Sequence, residues 1–313
     1  MLLLIQYTLI FASVLAIVAI GGMFAERSGV INLGLEGCMV IGALAGALVM
    51  SYINPNVPGF LVVILTLVVS IAAGMLYSLL LAVAAIKFKA DQTITGTAMN
   101  IIAPALATAI VKAVTLNTGE KKATPYLYYI TSHEFFIIKI GSFELNWFII
   151  LMIIIVAIAY FSLYKTKFGL RLMSCGEHPQ AAASNGIDVI KMRYIGVLIS
   201  GALSGLGGIA FINSANSSWP FDSGVLGFGF LALAVMIFGK WKPINIFLGA
   251  LLFSLFRALG STYVGFDFLA NLKINSLIYN MLPYVVCLII LAISSKNSKA
   301  PKAEGIPYDK GLR

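Results

Sequence analysis

The stretch KTKFGLRLMSCGEHPQAAASNGIDVIKMR, residues 165–193, is a polar segment between two apolar runs, Trp147–Tyr164 and Tyr194–Ile212. It carries five of the 21 lysine and arginine residues of the chain. Each flanking run is close to the length of a bilayer-spanning helix, which needs about 20 mainly apolar residues. A polar segment held between two such helices lies at one membrane surface, and we therefore expect it to be a docking site.

The centre of this segment, residues 177–186, predicts a short helix. Pro179 suits the first helical position, where its missing N–H is no loss. The alanines at 181–183 are strong helix formers, and Gly186 suits the position just beyond a helix end. A helix of about two turns, roughly 10 Å long, is not stable alone. It needs contacts either with its own subunit or with a partner.

Composition makes the whole chain an integral membrane protein. Of 313 residues 60% are hydrophobic and only 11% are charged, whereas a soluble domain carries about 25% charged residues. The net charge of +9 does not indicate nucleic-acid binding, because the basic residues lie in short loops where they set orientation. Three cysteines without a CxxC pair and two distant histidines predict neither a disulfide framework nor a metal site.

The apolar runs predict an all-α, polytopic helical bundle of about nine transmembrane helices, within a range of eight to ten. The second and seventh runs are short, as half-helices or parts of broken helices are. The nine candidate spans are Leu3–Phe24, Met39–Tyr52, Phe60–Phe88, Thr93–Leu116, Trp147–Tyr164, Tyr194–Ile212, Val225–Phe238, Ile244–Val264 and Ser276–Ile293.

Nine spans divide the basic residues unequally between the two membrane faces. One face receives 15 of them and the other four, while Lys112 and Arg257 lie within spans. The positive-inside rule then places the N-terminus outside and the C-terminus in the cytoplasm. We expect a transmembrane domain over residues 1–295 and a polar, disordered cytoplasmic tail over 296–313. The external segment 117–146 is expected to form a short interfacial helix.

The stretch ERSGVINLGLEGCMVIGALAG, residues 26–46, combines carboxylates, an amide and several glycines at a membrane edge. Such groups are costly there unless they are wet or paired. The stretch is either a tight turn that caps two packed helices or a broken helix that lines a pathway, as transporters use.

Two further patterns lie within the predicted spans and concern the faces that helices present to their neighbours. GALAG, residues 42–46, and its echo GALSG, residues 201–205, place small residues four apart and predict close helix packing. Thr93, Thr97 and Asn100 share one helical face, which predicts a polar stripe directed into the bundle. That stripe can bind a polar solute or a neighbouring helix.

No phosphate-binding loop occurs in the sequence, and neither HExxH nor GxSxG is present. An intramembrane enzyme is therefore disfavoured. If ATP drives transport, another subunit must bind the nucleotide.

The segments ERSGVINLGLEGCMVIGALAG, FGLRLMSCGEHPQAAASNGI, RYIGVLISGALSGLGG and GFGFLALAVMIFGKWKP occur in this order between residues 24 and 243. They resemble the inner-membrane permeases of bacterial ABC importers for ribose, branched-chain amino acids and nucleosides. The likeness is greatest to the smaller permease of the nucleoside branch. Ser174 and Cys175 stand where the family would have small residues such as Ala or Val, and this departure does not affect the resemblance.

The resemblance implies a set of partners: ABC ATPase subunits that bind ATP and Mg²⁺, a second permease subunit in a heterodimer, and an extracytoplasmic substrate-binding protein or lipoprotein. It implies no cofactor in this chain, a lipid environment and a bacterial plasma-membrane location. It also implies a cytoplasmic coupling helix that fits a groove of the ATPase. On this chain the matching residues are Glu177, His178, Pro179, Gln180, Ala181, Ala182, Ala183 and Gly186.

The resulting expectation is a permease subunit that forms half of a nucleoside pore and has no enzymatic activity of its own. A neutral, polar nucleoside suits a pathway of amides, hydroxyls and aromatic rings, for which the candidates are Asn32, Thr93, Thr97, Asn100, Phe228 and Phe230.

Two alternatives remain open at this stage. The same class of importer can carry a ribose-like sugar or a branched-chain amino acid, although the few membrane charges disfavour an amino acid. An ion-coupled secondary transporter would need a buried acid, for which Asp91 and Glu36 are the candidates.

Overall fold

The computed structural model describes residues 2–54, 56–116, 126–129, 134–140, 143–214, 218–266, 276–294 and 299–311. The described part is a helical bundle with a few short strands, which confirms the expected fold class. Its helices are α1 (Leu2–Arg27), α2 (Leu35–Tyr52), α3 (Gly59–Ala82, continued by a π-helical turn Val83–Lys87), α4 (Gln92–Leu116), α5 (Trp147–Lys165), α6 (Lys167–Glu177), α7 (Pro179–Ser184), α8 (Val189–Ile212), α9 (Phe228–Phe238), α10 (Pro243–Thr262) and α11 (Ser276–Ser294).

The helices follow the nine apolar runs of the sequence. Within the described residues, seven helices are long and apolar enough to cross a membrane: α1, α2, α3 with its π-turn, α4, α5, α8 and α10. Helix α9 has 11 residues, so the seventh run is a short helix as expected, and α11 has 19. Helix α2 starts at Leu35, four residues earlier than its apolar run predicts, and reaches 18 residues.

Helices α1 and α8 form the centre of the bundle. Helix α8 packs against α1, α2 and α3, while α1 also contacts α5, α9 and α10. Along both central helices most side chains are buried, whereas α3, α4 and α5 expose large apolar side chains outward. Exposed apolar side chains are stable in lipid or against another membrane subunit. The outer helices therefore define the surface that the bundle offers to lipid or to such a subunit.

Glycines bring α2, α3 and α8 into close contact. A Cβ atom added to Gly42 would lie 2.3 Å from the Cα of Gly205, and one added to Gly74 would lie 2.3 Å from the carbonyl oxygen of Gly201. Only residues without side chains permit such an approach. The packing interpretation of the two small-residue motifs is confirmed.

One end of the bundle gathers the turns with most basic residues, and we call it the basic face. It comprises residues 27–34, 87–91, 165–193 and 239–242 together with the C-terminal segment 299–311, which pack on one another. Helix α1 starts at the opposite end and runs for about 39 Å to Arg27. The grouping of these turns on one face agrees with the charge distribution in the sequence.

One expectation from sequence is wrong, and another lies largely outside the described residues. Residues 299–311 are not a free tail, because Pro301 and Ala303 are buried and backbone bonds tie the segment to the bundle. In the external segment the structure shows strands, and Glu134 is helical. The expected interfacial helix stays a prediction, because residues 117–125 and 130–133 lie outside the described residues. The strands are β1 (Leu127–Tyr128), β2 (Ile137–Ile140) and β3 (Phe143–Asn146); β2 pairs with β3, and β1 pairs with β4 (Ser218–Trp219), all antiparallel.

Candidate functional site

Helix α7 has the caps that its sequence predicts. Pro179 occupies the first helical position. At the other end Gly186 adopts φ +78°, a left-handed conformation that favours glycine. The N–H groups of Gly186 and Ile187 donate to the carbonyls of Ala183 and Ala182, at 3.0 and 3.1 Å. This is the Schellman arrangement, and it ends α7 sharply.

One side of α7 is held by its own chain and the other is open. Ala182 is buried with Cys175 of α6 and Val189 of α8. Burial raises the pKa of the Cys175 thiol to about 11, so this side chain behaves as a neutral apolar group at neutral pH. Gln180 and Ala181 are exposed. Helix α7 is thus a short ridge: its base, the side with Ala182, is packed on the bundle, and its top, the side with Gln180 and Ala181, is exposed.

The remaining residues expected in this helix lie around it. Glu177 is half-buried at the end of α6, and His178 is exposed in the turn between α6 and α7. Pro179 is buried, Ala183 is half-buried and Gly186 is exposed. The sequence therefore locates the helix correctly but assigns Glu177 to the wrong helix, because α6 has no equivalent among the expected elements.

The C-terminal segment 299–311, which we call the strap, crosses the basic face beside α7. The Ala303 N–H donates to the Gly176 carbonyl at 2.8 Å, and the Gly305 N–H donates to the Gly29 carbonyl at 3.2 Å. Arg193 Nη1 donates to the Ile306 carbonyl at 2.8 Å. The strap thereby joins α6, α8 and the turn that follows α1.

A groove of about 900 Å³ runs between α7 and the strap. Its walls include Gln180 and Ala181 of α7, and Tyr308 and Lys310 of the strap. An exposed salt bridge of 2.7 Å between Lys89 and Asp309 fixes the far end of the strap. This groove and the ridge beside it offer a shaped surface to a partner.

The end of α1 is tied to the turn that follows α9. Trp241 Nε1 donates to the Glu26 carboxylate at 2.5 Å, and Arg27 Nη2 donates to the Trp241 carbonyl at 3.1 Å. Glu304 of the strap approaches the same carboxylate. Burial raises the pKa of Glu304, which favours its neutral form in this position.

The non-helical residues 28–34 are held by side chains from two helices. Asn32 Nδ2 donates to Ser200 Oγ at 2.8 Å, and Gln92 Oε1 accepts from the Ile31 N–H at 2.7 Å. Asn100 accepts from the Gly37 N–H and donates to the Leu33 carbonyl, at 2.8 and 2.7 Å. Residues 28–34 thus form a mostly buried break between α1 and α2 that side chains of α4 and α8 brace. This agrees with the interpretation as a tight turn between two packed helices, and the pathway interpretation stays a prediction.

Glu36 caps a short helix across this break. Its two carboxylate oxygens accept from the N–H groups of Gly227 and Gly229, at 2.8 and 2.6 Å. These N–H groups belong to the start of α9, where the helix dipole favours a negative charge. Since α9 runs about 16 Å from this cap to the basic face, Glu36 lies well inside the bundle. The sequence shows the carboxylate but not its partner, 191 residues away.

The six pathway candidates do not form one site. Asn32 and Asn100 both brace the 28–34 break. Thr93 and Thr97 are exposed on the outer surface of α4, so the expectation that they point into the bundle is wrong. Phe228 is fully buried against Phe11 and Phe211, whereas Phe230 is half-exposed.

Sequence reasoning missed an aromatic cavity at the end of the bundle opposite the basic face. The cavity has a volume of about 320 Å³ and is lined by Phe11, Phe211, Trp219 and Arg257, among others. The available signal was Arg257, a cation in an apolar run of the sequence. Elsewhere, no three metal-binding side chains of the described residues lie close enough together to hold an ion.

Comparison with known proteins matches residues 4–292 to the family described as "Branched-chain amino acid transport system / permease component". The chain is 39% identical to the guanosine ABC transporter permease protein NupQ of Bacillus subtilis, over 98% of this chain and 96% of that protein. It is 37% identical to the nucleoside ABC transporter permease protein NupC of Lactococcus lactis, over 96% and 95%.

A less similar relative is named for a different solute, glucose. The chain is 31% identical to the putative glucose ABC transporter permease protein TsgC13 of Haloferax volcanii, over 79% of this chain and 74% of that protein. No solved structure gives a significant match to the chain.

Proposed function

Because the chain belongs to the family of branched-chain amino acid transport system permease components, we propose that it is the permease subunit of an ATP-driven ABC importer for nucleosides. Relatives named for guanosine and nucleoside transport align with nearly the full length of the chain. Full-length similarity of this kind supports the same arrangement of helices and the same class of solute.

The observation that carries the proposed mechanism is the half-embedded, half-exposed helix α7. Its buried side locks it to α6 and α8 through Ala182, Cys175 and Val189. Its exposed side carries Gln180 and Ala181 beside the groove formed with the strap. A helix fixed in this way transmits a push from a partner to α8 without being deformed.

We assign the partner as an ABC ATPase subunit that binds ATP and Mg²⁺. Closure of two ATPase subunits would move α7, and α8 would carry that movement into the centre of the bundle, where it contacts α1, α2 and α3. The chain would then alternate between outward-open and inward-open states together with a second permease subunit. The solute would arrive from an extracytoplasmic receptor.

This assignment orients the chain in the bacterial plasma membrane. The basic face, with α7 and the strap, is cytoplasmic, and the N-terminus is outside. The positive-inside rule supports this orientation independently of the partner.

A sugar is the second candidate solute, because the chain also resembles a permease named for glucose. Ion-coupled transport has less support. Of its two candidate carboxylates, Glu36 is held by two backbone N–H groups of α9, and Asp91 accepts from the Ile94 N–H at the start of α4. Both carboxylates are occupied as helix caps.

The docking role is tested by Ala181→Trp, which adds a large side chain to the exposed top of α7. Ala182→Trp is unsuitable, because Ala182 is 3% exposed and the change would disrupt the α7 base. Ala157→Trp on the exposed surface of α5 is the matched control. We expect Ala181→Trp to abolish co-purification of the ATPase and Ala157→Trp to leave it intact. Equal co-purification of both variants would refute the docking role.

A further inference from the structure

The aromatic cavity at the end of the bundle opposite the basic face has no role in the docking mechanism. Phe11 lies 16 residues before Arg27 on α1, about 24 Å along the helix from the basic face. The other walls come from the ends of α8 and α10 and from the chain before α9. In the proposed orientation the cavity therefore lies in the half of the bundle nearer the outside, where a receptor delivers the solute.

Four of the eight residues that line the cavity are aromatic. Tyr7 stacks on Phe11 with centroids 6.0 Å apart, and Phe211 meets the edge of Trp219 at 5.3 Å. Trp219 Nε1 donates to the Gly224 carbonyl at 3.0 Å, which fixes the indole plane. Fixed aromatic faces are stacking platforms for planar heterocycles, because every nucleobase has a π-face.

Arg257 supplies the charge of the cavity. Its guanidinium lies over the rings of Phe11 and Phe228, at 5.5 and 5.7 Å from their centroids. Cation–π contacts of this kind hold the guanidinium plane in place. A charged side chain inside a membrane helix is costly and points to a function.

The volume and the polar groups limit what the cavity can accept. Small-molecule sites begin at about 300 Å³, so 320 Å³ suits a base or a small nucleoside. Besides its four aromatic residues, the cavity is lined by Ser214, Leu226, Arg257 and Ser261, so two hydroxyl groups lie beside the aromatic rings. A fixed guanidinium beside aromatic faces matches a planar base that presents acceptors at one edge.

The groups that a purine presents at position 6 and N7 distinguish 6-oxopurines from 6-aminopurines. A 6-oxopurine presents O6 and N7, two acceptors that an arginine fork binds together, whereas adenine presents N7 beside an amino donor. We propose that this cavity is a nucleoside-binding site of the permease, in which aromatic rings stack on the base and Arg257 selects 6-oxopurines over 6-aminopurines. The proposal rests on the proposed function and adds a site and a selectivity to it.

The test compares inosine with adenosine, which differ in the group at position 6 and in the proton on N1. Binding is measured as thermal stabilisation of the purified permease pair in nanodiscs, without the receptor, so that the selectivity of the receptor does not enter. We expect inosine to bind the unaltered protein about tenfold or more tightly than adenosine, the discrimination of one good bidentate pair. Equal binding of the two nucleosides, or binding of neither, would overturn the proposal.

Two variants test the residues. Arg257→Gln exchanges the donor fork for an amide that pairs with adenine N6 and N7, so the inosine-to-adenosine ratio should fall about tenfold or more. A merely structural role would weaken both nucleosides equally, and that result overturns the assignment of Arg257. Ser261 is exposed at the cavity, and Ser261→Phe should block binding without disturbing the fold. Unchanged inosine binding by Ser261→Phe would also contradict the proposal.

Uptake by the complete importer separates this proposal from the function on which it rests. If the complete importer takes up inosine while Arg257→Gln and Ser261→Phe bind it as the unaltered protein does, the cavity proposal fails and the importer assignment stands. If the complete importer takes up no nucleoside, both fail.

Discussion

Glu36 joins two helices through a single side chain. Its carboxylate closes the break after α1 and caps the start of α9, which would otherwise leave N–H groups unpaired inside the bundle. The sequence shows an acid near a membrane edge, and only the fold reveals that the acid has a structural partner. This is why a coupling role and a capping role could not be separated from sequence.

Glu36→Gln should lower the stability of the protein by about 2 kcal/mol, because an amide has one acceptor oxygen where the carboxylate uses two. The midpoint of thermal unfolding of the purified protein in detergent measures the change. Glu134→Gln, the same substitution at an exposed residue, is the control and should leave the midpoint unchanged. If both variants unfold at the same temperature, the capping role of Glu36 is excluded.

We expect docking of the strap to depend on pH through Glu304. Burial raises its pKa when the strap is docked, so docking is complete below the ordinary value of 4.5 and weakens as pH rises through the raised value. Asp309 has the opposite sign, because the hydrogen bond from Lys89 lowers its pKa from 3.8. The contribution of Asp309 to strap docking is lost only as pH falls below 3.8, whereas Glu304 titrates above 4.5. Glu26, the carboxyl beside Glu304, is the other titratable group at this contact.

Glu304→Gln is expected to keep the strap docked as pH rises from 4.5 to 8, whereas the unaltered strap should open progressively. Spin labels at the exposed positions Lys302 and Ser184 report the distance between strap and α7 by pulsed electron resonance. A distance distribution of the unaltered protein that does not change with pH would contradict the assignment.

At the scale of elements, the sequence predicts well where the helices lie along the chain, but it predicts poorly which segments pack against them. The caps of α7 follow from Pro179 and Gly186 alone, since local geometry dictates both positions. The strap could not be foreseen, because polar, lysine-rich composition indicates disorder and the acceptors at Gly29 and Gly176 are far away in the sequence. Thr93 and Thr97 share a helical face as predicted, but periodicity does not say which neighbour that face meets.

The contact between α2 and α8 has no room for a side chain at Gly42. Gly42→Ala would place its methyl group 2.3 Å from the Cα of Gly205, so the two helices must separate. We expect a loss of about 1–3 kcal/mol in stability, as for other overpacked sites. Gly265→Ala, where a Cβ meets nothing within 4 Å, is the matched control in the same thermal-unfolding measurement. Equal stability of the two variants would show that the helices are not packed at Gly42.

At the scale of the whole molecule, the two ends of the bundle have different chemistry. The basic face carries a ridge, a groove and the strap, all suited to a protein partner. The opposite end carries an aromatic cavity suited to a small planar solute. Helix α8 starts beside α7 at the basic face and ends at Ile212, next to the cavity residue Phe211, so a single element connects the two.

The central claim is that this chain is a nucleoside permease driven by an ATPase through α7. The most direct measurement is inosine uptake by proteoliposomes that contain the complete importer, with and without ATP, for the unaltered protein, Ala181→Trp and Ala157→Trp. The account predicts ATP-dependent uptake by the unaltered protein and by Ala157→Trp, and none by Ala181→Trp. Uptake without ATP, or equal uptake by all three proteins, would contradict it.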